Sequence, residues 1–120
     1  MAVNIRASIL AAGLMGTAAL GVETPVTGVW QGKVLFFRIT VTAAQWDAQA
    51  AGVAQVRGPL GGQYSYHFNG MVESNRLHGV HHSGHRFEGE RTAEDRISGL
   101  LTTRKGRRFR LELRREEPAP

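Results

Sequence analysis

The chain has 120 residues, of which 42% are hydrophobic and 21% are charged, and these values are typical of one globular domain. It contains no cysteine, which excludes disulfides, cysteine-ligated zinc, iron–sulfur clusters and thiol nucleophiles. Lys and Arg total 15 against 10 Asp and Glu, so the formal net charge is +5 and the candidate partners include polyanions and anionic membrane surfaces.

The N-terminal segment has the pattern of a secretory signal peptide. A short start with one basic residue, Arg6, precedes the uncharged run Ala7–Val22, which ends in small residues. We therefore predict a signal peptide over residues 1–21, a folded domain over 22–115 and a flexible tail over 116–120, with export to the periplasm or the outside. Two alternatives remain: an uncleaved membrane anchor through residues 7–22, facing the periplasm, and a cytosolic protein that buries this run in its core.

From Gly28 onward apolar and polar residues alternate with a period of two, which indicates β-strands. The predicted fold is an all-β, antiparallel, up-and-down meander that closes into a small barrel. The alanine-rich segment 42–51 around Trp46 fits a short helix or a strand equally well. The predicted strands lie near 28–41, 52–57, 63–73, 76–81, 85–90, 96–103 and 107–114.

The pairing of these strands follows from requiring that apolar residues share one face. A turn at Ser74–Asn75 pairs Val72 with Leu77, the loops 82–84 and 104–106 pair Gly79 with Phe87 and Leu101 with Phe109, and a five-residue loop over 91–95 pairs Phe87 with Gly99. These registers turn several glycines inward, and we expect bulky neighbours such as Phe68 and Phe87 to fill the interior over them. The predicted inward residues are Phe68, Val72, Leu77, Phe87, Ile97, Leu101, Phe109, Leu111 and Leu113.

The first predicted strand opens with Gly28-Val29-Trp30. A Gly-x-Trp at this place, ahead of an up-and-down meander, resembles the calycin group of lipocalins and avidins and short exported bacterial β-barrels. The resemblance implies that Trp30 closes one barrel end and that an arginine of the last strand, Arg108 or Arg110, packs across it. It also implies a binding habit, without naming a ligand.

Histidines are concentrated in the segment 78–85, with His67 on the preceding strand. The registers place His81 opposite His85 and His67 opposite His82, close enough for two imidazoles to share one metal ion. Neutral imidazole suits zinc, copper or nickel. His67, His81, His82 and His85 are thus candidate metal ligands, although no single face offers a third ligand and a polar hairpin end is the alternative.

The last hairpin is rich in arginine. Strand parity puts Arg108, Arg110 and Arg114 on one outer face, with Arg96 beside Arg114 on the neighbouring strand. Guanidinium groups placed in this way favour phosphate or carboxylate partners, so we predict docking to a protein partner or an anionic surface. No aromatic side chain lies among their outward neighbours, which disfavours single-stranded nucleic acid. An ordinary solvated surface is the alternative.

Catalysis has little support in the sequence. Ser83 lies next to histidines, but no carboxylate is placed to orient a base, and no phosphate-binding or dinucleotide-binding motif occurs. We predict a non-enzymatic, cofactor-free, exported binding or interaction module, with a small ligand in the barrel as one option. The alternatives are an accessory subunit of a membrane complex, anchored by its N-terminal helix, and a histidine-dependent metal-binding protein.

Overall fold

A computed structural model describes residues 24–116, which form a closed, eight-stranded antiparallel barrel. Each strand pairs with the next, and the first also pairs with the last, Trp30 lying opposite Arg115. The predicted all-β meander is confirmed. The strands are β1 (Gly28–Val34), β2 (Phe37–Trp46), β3 (Gln49–Arg57), β4 (Gln63–Glu73), β5 (Arg76–Val80), β6 (Arg86–Ala93), β7 (Arg96–Thr102) and β8 (Arg108–Arg115).

The predictions for residues 1–21 and for most of the tail lie outside the described residues. Over 24–116, no helix has the length and apolar character needed to cross a membrane.

The predicted interior residues all face inward. Ile97, Leu111 and Leu113 are buried in the core with Trp30. Leu101 lines the interior. The other predicted residues are partly buried and pack against the same core: Phe68, Val72, Leu77, Phe87 and Phe109.

Three of the four predicted registers are confirmed. Val72 pairs with Leu77, Gly79 with Phe87, and Leu101 with Phe109. The two three-residue loops, 82–84 and 104–106, also form as predicted. Gly84 and Gly106 have φ values of 107° and 89°, a backbone conformation that glycine tolerates.

The fourth register, between β6 and β7, was predicted wrongly by two residues. Phe87 pairs with Leu101 rather than Gly99, and the connection is a two-residue turn after a β-bulge between Arg91 and Ala93. The extra bulge residue lets a tight turn replace the predicted five-residue loop. A shift of two residues preserves side-chain parity, so the same side chains remain inside.

The segment predicted as one strand over 28–41 is a hairpin, and this supplies the eighth strand. β1 turns into β2 at Leu35 and Phe36, with a φ of 55° at Leu35. Neither turn residue is glycine, proline or asparagine, so the sequence contains no turn signal here and the segment reads as one continuous strand. The unassigned segment 42–51 is also strand, with its own turn after Trp46.

An aromatic ring covers two glycines inside the barrel. A Cβ atom at Gly89 would lie 2.7 Å from the Phe87 ring, and one at Gly99 would clash with the same ring. The predicted packing of Phe87 on inward glycine backbone is therefore present, and Gly99 contacts the ring although it is not the pairing partner.

Candidate functional site

One end of the barrel is closed around Trp30. The Trp30 side chain is 1% exposed, and its Nε1 donates a 2.9 Å hydrogen bond to the carbonyl oxygen of Val26. The Arg115 guanidinium lies 4.6 Å from the Trp30 ring centroid and donates to the carbonyl oxygens of Thr27 at 2.6 Å and Pro25 at 2.9 Å. These hydrogen bonds from Arg115 hold the segment before β1 across this end of the barrel.

The arginine predicted to cross Trp30 was misassigned. It is Arg115, whereas Arg108 and Arg110 are exposed on the outer wall. Alternation along β8 turns Phe109, Leu111 and Leu113 inward, and Arg115 follows them on the same face. Arg115 could have been identified from the sequence by its inward position in the alternation along β8, combined with the expected pairing of β1 with β8.

The interior holds an open cavity of about 430 Å³, so the expectation that side chains fill it is wrong. Inward positions on β2 and β3 carry small residues, which contribute little side-chain volume to the interior: Ala43, Ala50, Gly52 and Ala54. The lining is mostly apolar, with polar groups supplied by Tyr66, His85 and Thr103 among others. The contribution of β2 and β3 could not be anticipated, because the segment 42–51, which carries Ala43 and Ala50, was left open between a short helix and a strand.

The cavity approaches the end opposite Trp30, where large apolar side chains are exposed. Leu35 and Tyr64 line the cavity and are 67% and 57% exposed. Phe36 and Leu60 lie beside them in the β1–β2 and β3–β4 loops and are 80% and 98% exposed. We call this the open end: it carries the four loops at 35–36, 58–62, 81–85 and 103–107.

Three of the four candidate metal ligands lie in the β5–β6 loop of the open end: His81, His82 and His85. His81 lies opposite His85, as predicted. His81 is buried, and its ring packs edge-on against Tyr66 at 5.3 Å between centroids. The Ser83 N–H donates to His81 Nδ1 at 3.2 Å, and Ser83 Oγ lies 2.6 Å from the same nitrogen. The His81 ring is thus held by its own loop.

The remaining candidate metal ligands surround His81 without forming a complete site. The His85 and His82 rings lie 5.9 Å and 4.2 Å from the His81 ring, and His85 Nδ1 accepts a hydrogen bond from the Arg104 N–H. His67 and His82 are exposed. Among residues 24–116, no three histidine or carboxylate side chains converge as a metal-binding group, and metal binding stays a prediction.

The environment of His81 disfavours its charged form. Burial is the main cause that lowers the pKa of His81 below the ordinary histidine value, and the neighbouring His82, His85 and His67 lower it further. At neutral pH the imidazole is therefore neutral, with Nδ1 accepting from the loop.

The predicted arginine cluster lies on the outer wall, as its parity indicated. Arg96 is opposite Arg114, and Arg110 and Arg108 face Leu100 and Thr102 across the β7–β8 pair. All four side chains are exposed. Within the described part of the chain the one close contact between a basic and an acidic side chain joins His78 Nδ1 and Glu88 at 3.6 Å, so none of these arginines is paired with a carboxylate there. Docking through them stays a prediction.

Comparisons with known proteins support the fold. No family model matches the sequence, and no curated protein is significantly similar to it. Among solved structures, the chain is similar to a fluorescence-activating β-barrel that was designed de novo. The TM-score is 0.57 at 19% sequence identity, over 75% of this chain and 93% of the designed one. This likeness is one of barrel architecture.

Proposed function

We propose that this protein is a binding barrel that takes up one small apolar molecule through its open end and holds it without covalent chemistry. The cavity of about 430 Å³ carries the proposal, because its size suits a small molecule and its walls are largely apolar. The closed end around Trp30 supports entry from the opposite side. The designed barrel, which is described as fluorescence-activating, supports the idea that this architecture can hold a ligand.

The few polar groups of the lining set the expected orientation of the ligand. Tyr66, His85 and Thr103 are lining residues on β4, the β5–β6 loop and the β7–β8 loop, which all lie toward the open end. We therefore expect an apolar body deep in the barrel and one polar group near the mouth. His81 packs on Tyr66 at this wall of the mouth, and its lowered pKa favours the neutral imidazole there.

We propose binding rather than catalysis. The close contact between Ser83 and His81 is local to the β5–β6 loop, and no carboxylate of residues 24–116 is hydrogen-bonded to His81. The Ser83 N–H donates to the same Nδ1 nitrogen that would have to accept the hydroxyl proton, which supports a structural role for this pair.

Titration with the neutral fluorophore Nile red tests the proposal. We expect saturable one-to-one binding with enhanced emission. Ala54 is buried on the inner face of β3, so Ala54→Phe should fill the cavity and reduce affinity by at least about tenfold. The matched control is Ala44→Phe, an exposed outer-face site on β2. Equal binding by the two variants, with both folded by circular dichroism, would refute the cavity as the binding site.

We propose that this binding takes place in an exported protein, with the N-terminal segment removed as a signal peptide. Intact-mass measurement on protein from its native host tests this. A start near Val22 supports export. A retained Met1 would instead favour the anchored accessory subunit.

A further inference from the structure

The open end presents apolar side chains to solvent at the tips of two adjacent loops. Leu35 and Phe36 form the β1–β2 turn, and Leu60 lies in the β3–β4 loop. The two loops are neighbours, because a Cβ atom at Gly58 would lie 3.2 Å from the Phe37 ring. Phe36 and Leu60 do not line the cavity, and apolar side chains this exposed lower solubility, so these tips indicate a contact surface.

Basic residues surround these tips. The four segments that form the open end, 33–38, 57–63, 80–86 and 102–108, contain no Asp or Glu. The turns of the opposite end carry Asp47, Glu94 and Asp95, with Glu73 beside a further turn. We call the basic residues of the open end the basic rim: Lys33, Arg38, Arg57, Arg86, Arg104, Lys105, Arg107 and Arg108.

Part of the basic rim is a row of like charges across three strands. Arg38 lies opposite Lys33 on β1 and opposite Arg57 on β3. All three side chains are exposed, and none forms an ion pair within residues 24–116. Like charges placed directly opposite one another destabilise a sheet. An anionic partner would reduce the repulsion between these three side chains.

We propose that the open end docks on an anionic lipid surface, with Leu35, Phe36 and Leu60 entering the apolar boundary and the basic rim contacting the headgroups. The positions of these residues along the barrel axis support a lipid partner. The apolar residues are at the loop tips, and Lys33, Arg38 and Arg57 lie behind them at the ends of the strands. This is the arrangement that an interfacial protein needs. Two of the three tips are aliphatic, which suits acyl chains better than nucleic-acid bases.

The docked orientation turns the cavity mouth toward the bilayer. The inference does not depend on the proposed function, because Phe36, Leu60 and the residues of the basic rim are not lining residues of the cavity and can contact a surface whether or not the cavity is occupied.

The absence of cysteine from the chain allows a direct test in the full-length protein. A single cysteine is introduced as Leu60→Cys and labelled with the environment-sensitive fluorophore NBD; the matched control is Asn75→Cys, in the exposed turn at the opposite end. Both proteins are titrated with vesicles of equimolar phosphatidylcholine and phosphatidylglycerol, and with phosphatidylcholine alone. We expect a blue shift and increased emission for the label at position 60 with the anionic vesicles only, and no change at position 75.

A second pair of variants tests the contribution of charge. Arg38→Glu and Arg96→Glu each reverse an exposed strand arginine that faces another arginine. Arg38 belongs to the basic rim, whereas Arg96 belongs to the predicted arginine cluster of the outer wall, so the pair distinguishes docking through the open end from docking through that cluster. We expect Arg38→Glu to weaken vesicle binding by about tenfold or more, and Arg96→Glu to change it less than about threefold. An unchanged spectrum at position 60, an equal response at position 75, or equal loss in the two charge variants would overturn the proposal. Dye binding in the cavity is measured separately and remains informative in either case.

Discussion

Removal of the Arg115 side chain should strongly destabilise the barrel, because this residue holds the N-terminal crossing and stacks on Trp30. Arg115→Ala removes two hydrogen bonds from a charged donor, at 2.6 and 2.9 Å, and one cation–π contact at 4.6 Å. Charged hydrogen bonds contribute about 1.5–3 kcal/mol each and the ring contact about 0.5–1 kcal/mol. Since the bonds are partly exposed to solvent, we expect a net loss of about 2–3 kcal/mol, or roughly 10–20 °C in Tm.

Urea denaturation monitored by circular dichroism measures this loss. The matched control is Arg114→Ala, the adjacent residue, whose side chain is exposed and faces Arg96. We expect the control to lie within about 0.5 kcal/mol of the parent protein. Arg115→Lys should recover only part of the loss, because an ammonium cannot reach both carbonyl oxygens with a planar fork. If Arg115→Ala and Arg114→Ala have the same stability, the account of the closed end is wrong.

Gly99→Ala should lower the free energy of unfolding by about 1–3 kcal/mol, because the new methyl group meets both the Phe87 ring and the Glu88 carbonyl oxygen. Phe87→Leu should recover only part of that loss in a double-mutant cycle, since it relieves the ring contact and leaves the backbone contact. Because the pKa of His81 is lowered in the folded state, the unfolded chain binds the proton more tightly, so stability should decrease as the pH falls below 6.5. His81→Gln should flatten this dependence in denaturation at several pH values, and an unchanged slope would contradict it. Leu35→Gly should raise the free energy of unfolding by about 1 kcal/mol, since glycine accepts the positive φ, while it weakens vesicle binding; lower stability would count against strain at this turn.

The second half of the fold could be predicted well from the sequence. There the turns carry the expected residues, such as Gly84 in a loop that requires positive φ, and the apolar alternation is strict. The first half could not, because the turn residues Leu35 and Phe36 read as a continuing strand. The β6–β7 register was predicted wrongly for a different reason. The alternation of apolar and polar residues indicates only which face of the sheet a side chain occupies, and the bulge shifts the pairing without changing that face.

The candidate site was predicted only in part. The outward arginines and the His81–His85 pairing followed from the registers. The cavity did not, because it depends on small inward residues such as Ala43 and Ala50, which lie in the segment 42–51 that the pattern left unassigned. The basic rim was equally hidden, since Lys33, Arg38 and Arg57 are adjacent only across strand pairs.

Intermolecular methyl NOEs to bound Nile red test whether the barrel contains an accessible apolar cavity. Val56 and Leu101 line the cavity, whereas Val53 and Leu100 do not and provide matched methyl groups on β3 and β7. We expect NOEs from the dye to Val56 and Leu101 and none to Val53 or Leu100. NOEs to Val53 and Leu100, or a dye that contacts none of the four methyl-bearing residues, would contradict it.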